Sequence, residues 1–255
     1  MSTLRKILIL LLLFLTLHFI ILAKVNLDKI LNPNAQQQSS GKKIVKTHLL
    51  KNDGIGEKLV YDVKLGKIRL GKAQYTHNKS IEIDGKLLNV MTFVTKVANF
   101  NDTETIYTDP ETFLPVKIER DIVNWFSKEK IIENYDQKKC VLTIEKTVGS
   151  KKERLVIKKD TPIHNAILLP QYVRRVAKLD TGRILVANLP KGRYEIRLVS
   201  IEEVTVPAGT FKAYHFKTTP EQIEIWISAD ERRIPVKIKN CDKIGYSLVL
   251  KEYTF

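Results

Sequence analysis

From about residue 55 onward the chain alternates apolar and polar positions with a period of two. Leu59, Tyr61, Val63 and Leu65 alternate with Lys58, Asp62 and Lys64, and Ile68, Leu70, Ala73 and Tyr75 with Lys67, Arg69, Lys72 and Gln74. This period belongs to β-strands with one buried face. Gly66 between the two runs marks a tight hairpin. Further runs of the same kind cover Leu87–Ala98, Thr103–Thr108, Leu114–Arg120, Trp125–Tyr135, Cys140–Thr147 and Arg154–Lys158. A second set covers Arg183–Leu189, Tyr194–Val206, Phe211–Thr218, Gln222–Ser228, Pro235–Lys239 and Ile244–Tyr253. The breaks between runs, such as Asp84-Gly85, Asn101-Asp102, Gly149-Ser150 and Ala208-Gly209, are too short for helical crossovers. The pattern therefore predicts a mainly β fold, an antiparallel sheet long enough to curl into a barrel, half-barrel or sandwich, with a curled half-barrel or barrel-like sheet as the expected form.

Two segments have a different period. Leu169, Tyr172, Val173, Val176 and Ala177 recur at helical spacing, with Gln171, Arg174, Arg175 and Lys178 on the opposite side. This predicts one amphipathic helix over about 165–179, with Pro170 in its first turn and Gly182 past its end. Its stripe should lie on a sheet face, burying Tyr172 and Val173 and exposing Arg174. At the other extreme, Ile7 to Ala23 is apolar except for Thr16 and His18. At about 1.5 Å per helical residue that run is about 25 Å long, which suits a short membrane-spanning helix or a long signal-peptide core. Arg5 and Lys6 in front of it predict a cytoplasmic N-terminus and an exported body. Both an uncleaved signal anchor and a cleaved signal peptide fit. Ile21 stands where a cleavage site wants a small residue, and no Cys follows to support lipoprotein processing. The domain plan is a leader over 1–23, a flexible polar linker over 24–54 and a single β domain over 55–255.

The β domain carries an internal similarity. Ile106-Tyr107-Thr108-Asp109-Pro110-Glu111-Thr112-Phe113-Leu114-Pro115-Val116-Lys117-Ile118 resembles the ungapped stretch from Trp226 to Ile238, 120 residues later. Each reads as a strand, an Asp-containing turn, an apolar residue before Pro, and Val-Lys-Ile. The expected architecture is a duplicated β-meander, with halves at about 55–160 and 180–255 joined by the helix.

Charge and chemistry narrow the function less than they narrow the fold. Lys and Arg total 43 against 28 Asp and Glu, a formal charge of +15. The excess is spread along the whole chain, so it suits a solvated sheet face or attraction to anionic lipid headgroups or envelope polymers. It lacks the concentrated stripe with interleaved aromatics that nucleic-acid binding needs. Two Cys exclude a disulfide-dense scaffold or a Cys-based metal centre. In an oxidising compartment Cys140 and Cys241 are candidates for one disulfide, or for free thiols. The five His are scattered and form no metal-ligand pair at i, i+2 or i+4, so neither metal nor cofactor is expected. No Gly-x-Ser-x-Gly elbow occurs, and Gly54-Ile55-Gly56-Glu57-Lys58 is too short for a phosphate-binding loop. Asp109 and Asp230 are expected to cap their turns rather than act as an acid–base pair.

Gly56-Glu57-Lys58-Leu59-Val60-Tyr61-Asp62-Val63, Ile68-Arg69-Leu70-Gly71-Lys72-Ala73, Thr161-Pro162-Ile163-His164, Val206-Pro207-Ala208-Gly209-Thr210-Phe211 and Ile225-Trp226-Ile227-Ser228-Ala229-Asp230 together resemble a bacterial cell-envelope family, domain of unknown function 3108. Asn165 stands where that family's pattern has Asp. The resemblance implies an exported β protein, on the periplasmic side of the cytoplasmic membrane or free in the periplasm, and supplies no catalytic residue. The turn-then-Pro-Val-Lys pattern is also similar to the half-barrels of periplasmic lipoprotein carriers, which hold acyl chains between a curved sheet and helices.

Three functions follow as expectations. The first is a non-enzymatic envelope protein that holds a lipid or other hydrophobe in the half-barrel, with Leu169, Tyr172, Val173, Val176, Met91 and Phe93 lining the groove. Strand Leu87–Ala98, apolar on both faces, motivates it. The second is an assembly or interaction module with a filled core and a basic surface. The third is an envelope hydrolase. Expected partners are the membrane, through the N-terminal helix, and a lipid or anionic envelope polymer.

Overall fold

Strand β1 (Lys58–Leu65) begins a meander that continues through β2 (Ile68–Ile83), β3 (Lys86–Val97), β4 (Phe100–Thr108), β5 (Pro115–Val123), β6 (Lys128–Asp136), β7 (Val141–Val148) and β8 (Lys151–Lys158). A short helix, α1 (Leu169–Arg174), leads to a second meander of β9 (Ile184–Leu189), β10 (Gly192–Val206), β11 (Gly209–Thr219), β12 (Ile223–Ser228), β13 (Pro235–Asn240) and β14 (Tyr246–Thr254). These elements come from a computed structural model that describes residues 54–176, 178–180, 182–242 and 245–255. The predicted leader and the linker to residue 53 lie outside the described residues, so the two readings of the leader stay expectations. Among the described residues no helix is long and apolar enough to cross a membrane.

All fourteen strands form one antiparallel sheet in the order β8 to β1, then β14 to β9. β1 and β14 pair in its middle, Leu59 opposite Tyr253 and Val63 opposite Leu248, and β8 and β9 are its two unclosed edges. The sheet is strongly curled. β10 lies three strands from β13 and four from β14, about 14 and 19 Å across a flat sheet, yet Cα atoms of β10 approach both to within 8 Å. The predicted fold class is the one observed.

Alternation sorts the two faces. Leu59, Tyr61 and Val63 of β1, Ala73 and Tyr75 of β2, and Ile106 of β4 all point to the concave face and are almost fully buried. On the other half of the sheet, Leu169, Val173 and Val176 pack against Leu185, Ala187, Ile196, Phe216, Ile225 and Ile227. The helix stripe is thus spent on β9–β12. Val173 is completely buried, and Val173→Asp should unfold the domain, since an unpaired buried carboxylate costs several kcal/mol. A thermal melt of that variant matching the parent would contradict this packing.

The helix is shorter than its period predicts and its polar side is not exposed. It ends at Arg174, and Arg233 reaches across from the β12–β13 turn to donate to the carbonyl oxygens of Arg174 and Val176, which the helix end leaves free of helix partners. Arg174 and Arg175, expected in solvent, are 3% and 5% exposed, and Tyr172 is half-buried beside His164. The stretch expected to open a strand at Trp125 instead forms the β5–β6 turn, and β6 starts at Lys128. Cys140, expected to open β7, sits in the preceding turn with a left-handed φ of 55°.

The two similar stretches use the same turn device. Asp109 Oδ1 accepts hydrogen bonds from the amides of Glu111 and Thr112, and Asp230 Oδ1 from the amide of Arg233. Phe113 and Arg233, at equivalent positions, both adopt a left-handed φ, 58° and 49°. A register shift follows Tyr107 in β4 and Trp226 in β12.

Candidate functional site

Among the described residues, three constellations bring chemistry-bearing side chains together. The first joins the chain entry, the helix and the β12–β13 turn inside the curl. Arg174 Nη1 and Nη2 donate to Glu57 Oε2 and Oε1 at 2.6 and 2.9 Å, and Nη2 also donates to the Arg232 carbonyl at 2.7 Å. Gln171 Oε1 accepts from Arg174 Nη1 at 3.1 Å. The neighbouring Arg175 guanidinium lies 3.8 Å from the centre of the Phe113 ring, and burial pulls its pKa down to about 10. Tyr61 donates to the Pro235 carbonyl at 2.9 Å and Tyr75 to the Met91 sulfur. Both terminal nitrogens of Arg174 and both tyrosine hydroxyls are held by other parts of the chain, which makes the cluster a clamp, and only Arg174 Nε is left buried without a partner among the atoms named.

The second constellation lies on the concave face of β4–β7. Arg120 donates through Nε to both Asp102 oxygens, at 2.9 and 3.0 Å, and through Nη2 to Oδ2. Glu104 Oε1 lies 3.5 Å from the same Nε. Tyr135 donates to Glu133 and accepts from Asn165 Nδ2 at 3.3 Å, while Lys146 pairs with Glu129 at 2.7 Å. Burial pushes the Glu104 carboxyl up to about 8 against the pull of Arg120, and raises Glu133 as well. Asp102 thus pairs with Arg120 and Glu129 with Lys146, while burial favours the protonated form of Glu104.

The third lies on the convex face of β10–β13. His215 stacks on Trp226 with ring centres 4.1 Å apart, and its Nε2 is 2.8 Å from Glu224 Oε2. Trp226 Nε1 donates to Glu202 Oε1 at 2.7 Å, and Lys237 Nζ sits 4.4 Å over the indole. Burial alone would raise the Glu224 carboxyl, but hydrogen bonds from Lys239, Cys241 and His215 outweigh it and hold it at about 2. Ser200, His215 and Glu224 have the residue types of a hydrolytic triad. The geometry speaks against that chemistry. Ser200 Oγ is 3.5 Å from His215 Nδ1 and gives its proton to Glu202 at 3.0 Å, so the imidazole is not placed to take it. Glu221, Glu224 and Cys241 bring ligand atoms within 4.8 Å of one another. Burial pushes the Cys241 thiol up to about 11, and Lys239 already neutralises Glu224. The group is therefore poorly suited to a cation, which needs a thiolate and free carboxylate.

The groove residues named from the sequence do not form one open site. Leu169, Val173 and Val176 are in the core of the second half. Met91 is fully buried under the Tyr75 hydroxyl, and Phe93, opposite Glu104 in the β3–β4 register, is half-buried. Leu87 is 58% exposed, so β3 is not apolar on two buried faces at its start. Cys140 and Cys241 are free thiols, the second of the two states open to them from the sequence. Cys140 Sγ contacts the Gln137 carbonyl and Cys241 Sγ contacts Glu224. Sequence reasoning missed all three constellations. Each gathers residues from different strands or turns, and in the first these are far apart in the chain, such as Glu57 and Arg174, 117 positions apart. The one visible trace is polar residues at alternating positions on what the period makes one face, such as Asp102 and Glu104.

The family model for a protein of unknown function, DUF3108, matches residues 60–251. This chain belongs to the DUF3108 family. Solved structures that this DUF3108 chain resembles include a β-barrel-like protein of domain of unknown function DUF1849 from Brucella abortus. That pair has 8% identity and a TM-score of 0.47 over 78% of this chain and 97% of the other. Another is a protein with a YmcC-like fold from Bacteroides fragilis, described as exported, at 12% identity and a TM-score of 0.34 over 82% and 100%. A third is described as a lipoprotein from Parabacteroides distasonis, at 12% identity and a TM-score of 0.26 over 82% and 98%. No curated protein matches the chain. The family assigns no activity, and nothing in its name adds a catalytic residue to those described above.

Proposed function

We propose that this DUF3108 protein is an exported, non-enzymatic interaction module of the cell envelope, with a core filled by its own side chains. The observation that carries the reading is the burial of the apolar helix stripe. Leu169, Val173 and Val176, which would line a lipid groove, are at most 1% exposed and packed against β9–β12. A carrier of hydrophobic ligands holds them by burying their surface, at about 25 cal/mol per Å², and that requires apolar side chains left uncovered for the ligand. The polar constellations support a module over an enzyme, since their main charged groups are paired with one another: Arg174 with Glu57, Arg120 with Asp102, and His215 with Glu224. Export rests on the charged and apolar leader, and the basic surface suits an anionic envelope partner.

Organic extraction of the purified protein followed by lipid mass spectrometry tests this reading. Far less than one lipid per chain is expected. One acyl lipid per chain, retained through washing, would overturn the filled core and restore the carrier.

A further inference from the structure

Because successive strands alternate in direction, the turns after β1, β3, β5 and β7 share one rim of the sheet. On that rim the β5–β6 turn holds Trp125 and Phe126 out in solvent, 50% and 88% exposed, their rings edge to face at 6.5 Å. The turn is built to do so. Asn124 Oδ1 accepts from the amides of Phe126 and Ser127 at 2.8 and 3.0 Å, its Nδ2 donates to Ser127 Oγ at 3.1 Å, and its amide donates to the Ser127 carbonyl at 3.0 Å. Scattered exposed apolar residues are ordinary. A pair of aromatics carried on a hydrogen-bonded turn is a partly preorganised contact, because the backbone entropy of presenting it is already spent. Val123, 39% exposed, sits at its base, and Ile68, 64% exposed, lies on the same rim at the β1–β2 turn.

The surroundings select the partner. Lys128 is opposite Val123, Val123 opposite Asn101, and Asn101 opposite Lys96, so one row of the register carries exposed lysines on either side of the tip. Lys151 and Lys152 follow the adjacent β7–β8 turn. Of the nearby carboxylates, Glu153 is held by Lys151 at 2.8 Å, and Asp121 stands opposite Lys130 in the β5–β6 register. A convex aromatic wedge ringed by long basic side chains does not fit a rigid apolar cleft. It fits a soft, flat, anionic surface, where indole and phenyl rings settle at headgroup depth and lysines meet phosphates.

We propose that this rim docks on an anionic lipid bilayer through the Trp125–Phe126 tip, with Lys96, Lys128 and Lys152 on the headgroups. The proposal rests on the interaction-module reading and names its partner.

The protein has two Trp, so in the full chain a Trp226→Phe variant makes Trp125 the reporter. With vesicles of phosphatidylglycerol and phosphatidylethanolamine brominated on their acyl chains, Trp125 emission should shift to the blue and be quenched. With phosphatidylcholine vesicles, or at high salt, it should stay unquenched. A Trp125→Phe variant, reporting Trp226, should show no quenching. Lys96→Glu with Lys128→Glu should raise the lipid concentration for half-quenching about tenfold or more. Because the readout is local to the tip, attachment of the chain elsewhere does not produce it. Unquenched Trp125, or equal quenching by phosphatidylcholine, overturns the proposal. A photo-crosslinker in place of Phe126 in the otherwise unaltered chain separates the two readings in cells. A lipid adduct supports docking, whereas a protein adduct overturns it and leaves the module reading intact. The module reading itself fails only on the lipid extraction described above.

Discussion

Replacing Arg174 with Ala should lower the unfolding free energy by about 3–5 kcal/mol, the usual cost of stripping one partner from a buried ion pair. Arg174 and Glu57 have side chains 3% and 2% exposed, so the stranded Glu57 carboxylate has no water to turn to. The same guanidinium holds the Arg232 carbonyl, so its loss also frees the β12–β13 turn from the helix. A domain of this size commonly has only about 5–15 kcal/mol of stability in total, and the variant should melt well below the parent. Glu57→Ala should cost as much. The double variant Glu57→Leu, Arg174→Leu should recover part of the loss, because a buried pair replaced by apolar groups leaves no orphaned charge. Urea denaturation of the parent, Glu57→Leu, Arg174→Leu and the double variant gives the coupling energy directly. Additive losses in the double variant would mean that the two residues do not depend on each other.

This clamp marks where the sequence stops being legible. The strands could be read because each carries its own evidence: a two-residue period decides locally which side chains face a core, and Gly66 or Asp84-Gly85 decides where the chain reverses. The turn at Asp109 could be read for the same reason, since Asp caps a backbone two and three residues away. The helix face could not. By pattern Arg174 and Arg175 belong to its wet side, and they are buried because Glu57 and the Phe113 ring wait on the concave face. A charge is buried or exposed according to its partner, and here the partners come from distant strands. Trp125 misled for the complementary reason. Its apolar side chain extends the β6 pattern backwards, while the Asn124 side chain folds the same residues into a turn. The groove inferred from Leu169, Val173 and Val176 required knowing whether the stripe would be left open or covered, and β9–β12 cover it. His215 meets Glu202 and Glu224 only through the registers of β10, β11 and β12, one of which contains a bulge between Leu198 and Ser200.

The carboxylates around Arg120 should make stability depend on pH in a direction opposite to that of a salt-bridged protein. Burial lifts Glu104 from its ordinary value near 4.5 to about 8 even with Arg120 beside it. Across that window the folded state therefore binds more protons than the unfolded state, and stability falls as pH rises, levelling off above the folded value. Glu104→Gln keeps the shape and removes the titration, so the variant should be less sensitive to pH between about 4.5 and 8 and gain on the parent toward pH 9. Arg120→Leu should do the reverse. It strands Asp102, which now has two charged hydrogen bonds from Nε, and removes the cation that opposes the burial of Glu104 and Glu133. Its loss should be about 3–5 kcal/mol near neutrality, smaller at pH 5, where the carboxyls take up protons and the stranded charge disappears. Urea midpoints at pH 5, 7 and 9 decide the matter. Parallel pH profiles for the parent and Glu104→Gln would mean that this carboxyl titrates as an exposed glutamate does.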